Sequence, residues 1–160
     1  MKTKQLQILW WDWLGTEERL LRSLHEQTAA LVLRDVDRVT RIQPEIDALV
    51  QKIVEIDESA VVSVKNLAEQ FECEAHVRSI AKTLDKAESL QFQGLANRVA
   101  VAARNLQSVL AKNRALIESE MNFINGTLTL LARNASESKS PYTHPNKAVV
   151  SASIAVNTAA

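Results

Sequence analysis

The chain has 160 residues and zero formal net charge, with three glycines, three prolines, few aromatics and one cysteine. That composition suits one helix-rich domain, or a domain with a tail, and the lone Cys73 excludes an internal disulfide. A neutral balance argues against nucleic acid, and no apolar run reaches the roughly 18 residues that a spanning helix needs.

In chain order, the N-terminal "MKTKQLQILWWDWLG" has an apolar patch, but Asp12 interrupts it and no small-residue cleavage site follows, so a cytoplasmic chain is expected. A first helical stripe runs Trp10, Trp13, Leu20, Leu24, Thr28, Leu31, with Gly15 and Thr16-Glu17-Glu18 reading as a cap or a kink. "RDVD" (34–37) predicts a break, with Asp35 as the next N-cap. The second stripe steps by three and four through Ile42, Ile46, Leu49, Ile53, Ile56, Ala60, Val64, Leu67 and Phe71, with Pro44 near its start. A shorter stripe at Val77, Ile80, Leu84 and Ala87 is expected to end near "SLQFQG" (89–94). The last runs Val99, Ala103, Leu106, Leu110, then Ile117, Met121, Ile124, Leu128, Leu131. A helix over 95–132 would span roughly 55 Å. The expectation is an all-α, elongated antiparallel bundle over residues 1–134, followed over 135–160 by a linker and a non-helical or weakly ordered apolar tail.

Charge is unevenly spread. Residues 1–80 carry ten Lys/Arg against fourteen Asp/Glu, and residues 81–160 carry nine against five. From Ser89 to Ile117 there are four bases and no acid, which predicts a basic helix beside the acidic second one. Exposed pairs add only about 0–1 kcal/mol each, so these charges set register while apolar burial supplies stability. Asn113 and Glu120 interrupt the last stripe, and the steps 113 to 117 to 121 read as a stutter. The change marks a new neighbouring helix or the start of a partner-binding face.

Catalytic chemistry finds no foothold: the chain has no Gly-rich phosphate loop, HExxH or nucleophile elbow. Cys73 and His76, at i, i+3 on one predicted helical face, supply half a zinc set at most, and His25 and His144 are the only other histidines. Glu72 and Glu74 flank Cys73 on different sides of a helix and make no carboxylate pair. "WWDW" (10–13) reads as core packing ahead of an exposed patch. No enzyme activity, cofactor or metal is expected.

The tail is the anomaly. Pro141 and Pro145 disfavour helix in the residues before them. Beyond them Val150, Ala152, Ile154 and Val156 alternate with a period of two, while Val149, Ala152, Val156 and Ala159 also make a helical stripe. The segment packs on its own bundle, stays disordered, or folds on a partner. The candidate partner-binding residues are therefore Tyr142, Val149, Val150, Ile154 and Val156, with Ile117, Met121, Ile124 and Leu128 on the bundle face.

"NRALIESEMNFINGTLTLLA" followed by "PYTHPNKAVVSASIAVNTAA" resembles the closing half of FlgN-family flagellar export chaperones. The family's Asn-Arg, Leu-Ile, aromatic-Ile and Leu-Leu pairs fall on Asn113, Arg114, Leu116, Ile117, Phe123, Ile124, Leu130 and Leu131. Tyr142 matches the tail tyrosine, and Asn146 stands where glycine is usual. "HEQTAALVLRDVDRVTRIQPEIDALVQKI" is similar to the family's first helical hairpin. The resemblance implies a cytoplasmic chaperone that covers the C-terminal helical segments of hook-associated, hook–filament junction proteins and delivers them to the export gate. The tail tyrosine would be the gate contact, with no nucleic acid, no membrane insertion and no bond-making step. A self-associating helical adaptor unrelated to secretion is the alternative.

Overall fold

The computed structural model describes residues 2–137. They form four α-helices: α1 Lys4–Val32, α2 Val36–Gln70, α3 Val77–Thr83 and α4 Lys86–Glu137. The all-α expectation holds, with α2 antiparallel to its two long neighbours. Tyr142, Val149, Val150, Ile154 and Val156 lie outside the described residues, as does the rest of the linker and tail from 138 on. The chain divides into two compact units, Met1–Met121 and Asn122–Ala160.

The turns of the first unit are built by residues that tolerate no glycine's freedom. Arg34 (φ 55°) ends α1 in the left-handed region: its N–H donates to Leu31 O at 3.1 Å and the Asp35 N–H to Ala30 O at 2.9 Å. This satisfies two orphan carbonyls in the Schellman pattern. The Asp35 carboxylate then accepts from the Arg38 N–H at 3.1 Å, so the expected N-cap is real and the reversal is tight. The end of α2 repeats the pattern. Glu72 (φ 51°) donates to Glu69 O at 3.3 Å, and Cys73 donates to Ala68 O at 3.0 Å.

Several boundaries differ from expectation. α1 runs through Gly15 and α4 through Gly94 without interruption, since a single glycine costs a helix only about 1 kcal/mol against alanine. The break expected near 89–94 falls instead at Leu84, whose backbone is extended, and Asp85 caps α4 by accepting from the Glu88 N–H at 2.9 Å. Cys73 and His76 do not share a helical face, because both lie in the connection between α2 and α3. Pro44 sits well inside α2, where the helix continues past it.

Two adjoining apolar clusters hold the first unit. In one, Trp13, Leu20 and Leu24 of α1 meet Ile42, Ile46, Leu49, Ile53 and Ile56 of α2 and Leu106 of α4. In the other, Leu6 and Trp10 meet Leu67, Ile80, Phe92 and Leu95, with the Trp10 and Phe92 rings 5.0 Å apart. The second stripe read from the sequence is thus the buried face of α2. Thr3 reaches Glu88 and Thr28 reaches Asn113, a near-constant offset that sets α1 and α4 parallel.

The last stripe requires correction. α4 packs through Phe92, Leu95, Val99, Ala102, Leu106, Val109 and Asn113, a regular three–four spacing. Leu110, expected in the core, is 36% exposed, and the stutter dissolves. Reading Asn113 as an interruption displaced the seam by one residue; the asparagine is a seam residue with its hydrogen bonds met inside. α4 lies beside α2, as the charges suggest, but among the described residues no ion pair joins the two. α2 pairs with α1 instead, through Arg38–Glu26 at 3.2 Å and Lys52–Asp12 at 3.0 Å.

Candidate functional site

Asn113 is 2% exposed, and its hydrogen-bond partners all lie on α1. Its Nδ2 donates to Leu24 O at 2.8 Å and to Gln27 Oε1 at 3.0 Å, while its Oδ1 accepts from the Thr28 hydroxyl at 2.5 Å. Gln27 in turn donates to Gln43 of α2 at 2.9 Å, and Gln43 to Asp47 at 2.8 Å. A buried amide with every bond met fixes register, because a slip in either direction strands it. Four residues on from the next seam position Leu116, the register is clamped again: Glu120 accepts from Arg34 Nε at 3.1 Å.

From Met121 to Ala132 the sequence carries no charge. In the first unit Ile117 and Met121 are exposed. In the second, Phe123, Ile124, Leu128, Leu130 and Leu131 are each 52–61% exposed. Ile124, Leu128 and Leu131 recur at i, i+4, i+7, and Phe123 and Leu130 keep the spacing of the packed seam. At 100° per residue these two sets cover roughly half of the helix circumference. Even the threonines there turn inward: Thr127 donates to Phe123 O and Thr129 to Asn125 O, each at 2.9 Å, leaving their methyls outward.

Of the four bundle-face candidates, Ile117 and Met121 are exposed in the first unit and Ile124 and Leu128 in the second, all on α4. The tail candidates fall outside the described residues. Phe123 and Leu130 were not singled out as binding residues, and the signal that finds them is the continuation of the three–four seam past Asn113.

The remaining candidates resolve plainly. Trp10 and Trp13 are core, as expected, while Trp11 is exposed with the Arg98 guanidinium 4.8 Å from its ring centroid. The Trp13 Nε1 is enclosed and makes no hydrogen bond of good geometry. Its indole still acts on Asp57, whose carboxyl is pushed up by burial and drawn partly back by Trp13. Among the described residues no cluster of His, Cys, Asp or Glu is placed to hold a metal ion. No helix among them is long and apolar enough to cross a membrane.

A family model described as FlgN protein matches residues 1–149. Nothing among curated proteins or solved structures matches the chain.

Proposed function

Because the chain belongs to the FlgN protein family, whose membership implies a non-catalytic flagellar export chaperone, we propose that it covers hook-associated proteins in the cytoplasm before export. The observation that carries this reading is the uncharged, half-apolar surface of α4 from Met121 to Ala132. A client segment that is itself an amphipathic helix would lay its apolar face along Ile117, Met121, Ile124 and Leu128, withdrawing both surfaces from water. The client is held unassembled for as long as that face is occupied. Nothing in this requires a cofactor or a bond-making step.

On the same reading, residues 135–160 form a separable recognition element beyond a bundle of residues 1–134. Val149, Val150, Ile154 and Val156 would add apolar contact, and Tyr142 would meet the export gate, joining an apolar ring to a hydroxyl at low entropy cost. The flanking Pro141 and Pro145 limit the free chain and so reduce the cost of ordering it.

Native mass measurement of the purified chain, alone and mixed with the C-terminal helical segment of a hook-associated protein, tests the proposal. A 1:1 complex is expected. A chain that forms only its own oligomers, whether or not the segment is present, would instead favour the self-associating adaptor.

A further inference from the structure

Away from the α4 strip, the first unit holds one acid for which its own fold provides nothing. Glu17 is 6% exposed as a residue; among the described residues its carboxylate makes no hydrogen bond or ion pair to the protein and meets water only through a groove. Its carboxylate lines an open groove of about 570 Å³ between the parallel helices α1 and α4. Leu14 and Leu21 on α1 and Val101 and Ala102 on α4 make its apolar walls, with Asn97, Arg98 and Asn105 of α4 also lining it. Val101 remains 58% exposed. The nearest cation on the groove wall, Arg98, is turned to the Trp11 ring rather than to Glu17.

We propose that this groove docks a partner helix that carries one lysine or arginine within its apolar face, with Glu17 as the counter-ion. Charge complementarity sets the occupant. An apolar segment alone would bury an unpaired carboxylate still deeper, which is unfavourable, whereas a cation on that segment converts the same carboxylate into an anchor. Two parallel helices form a linear trough that accepts side chains at i, i+3, i+4 and i+7, so the incoming element is a helix and completes a fourth long rod beside α1, α2 and α4. Arg98 stands free to leave Trp11 and meet an acid on the same partner. The exposed strip of a second copy does not fit, because Met121 to Ala132 has no charge to offer Glu17. Desolvation, and then the neighbouring Glu18, already push the Glu17 carboxyl up from its ordinary value, the state a partner cation would relieve.

This inference stands apart from the flagellar client, and its test uses neither client nor gate. Two synthetic amphipathic helical peptides serve as probes, identical except that one carries a lysine in its leucine stripe and the other carries norleucine there. Anisotropy of the labelled peptides is titrated against the full chain. The lysine peptide should bind about tenfold tighter than the norleucine peptide. To keep the α4 strip from competing for the peptides, every titration uses the Leu128→Asp background; there Glu17→Gln should erase the preference and Val101→Asp should abolish binding of both peptides. Circular dichroism melts confirm that each variant is folded. Absence of lysine-peptide binding up to about 1 mM, a preference that survives Glu17→Gln, or binding that survives Val101→Asp would each overturn the proposal.

Discussion

Asn113 and Glu17 are both buried polar side chains, and the fold treats them oppositely. Asn113 meets Leu24, Gln27 and Thr28, so it is satisfied in place. Asn113→Ala should therefore destabilise by about 1–3 kcal/mol in urea unfolding, because it leaves the Gln27 Oε1 without its donor as well as removing bonds. Glu17 has no such partners, and burial raises its carboxyl above the ordinary 4.5. Between that value and the raised one, the folded chain binds more protons than the unfolded chain, so stability falls as pH rises through the window. Asp57, raised chiefly by burial, contributes with the same sign. Glu17→Gln should raise the urea midpoint at pH 7 and flatten its pH dependence, with the two chains converging below about pH 4. A wild-type advantage at pH 7 would show that Glu17 is favourably paired in the folded state. The sequence marks Asn113 as a register device, though not its partners, and gives no sign of Glu17's burial. A polar residue in a stripe looks like a defect until its partners, some 85 positions away, are known.

At the scale of elements, periodicity located α2 because its buried face is an apolar ladder from Ile42 to Leu67. It located α1 because Trp10, Trp13, Leu20 and Leu24 mark a face that also buries Gln7, Thr16, Glu17, Ser23 and Gln27. It misplaced the seam of α4, which carries two apolar strips side by side, and alternation alone does not say which one the bundle takes. Leu106→Ala should cost about 2–5 kcal/mol as a core truncation. Leu110→Ala, on the exposed strip, should cost well under that, about 0.5 kcal/mol or less. Equal costs would restore the stripe through Leu110. Glycines misled in the other direction. Gly15 and Gly94 lie inside helices with open space around a Cβ, while the left-handed turn positions are held by Arg34 and Glu72. Gly94→Ala should thus stabilise by about 0.5–1 kcal/mol. Glu72→Gly should also stabilise, by relieving a strain of about 1 kcal/mol. Thermal melts of the single and double variants check both signs, and a loss of stability on Glu72→Gly would mean its side chain holds the turn.

For the whole molecule, the resemblance in "NRALIESEMNFINGTLTLLA" and the family match over residues 1–149 lead to the same family. What the sequence concealed is that the distinctive segment holds two kinds of residue. Asn113 and Leu116 belong to the packed seam, whereas Ile117, Ile124 and Leu131 are turned to solvent. Charge asymmetry was a fair guide to neighbours and a poor one to ion pairs, because exposed pairs of this size follow packing and do not direct it. The account rests on the exposed strip being the client surface. Calorimetric titration of a hook-associated protein's C-terminal helical segment into the wild-type chain and into an Ile124→Asp/Leu128→Asp variant tests that claim most directly. Both positions are exposed, so the variant should keep its helix content and melting temperature while affinity falls by about a hundredfold or more, since each charge must be desolvated against an apolar face. Unchanged affinity in a folded variant would contradict the account and move the client site off α4.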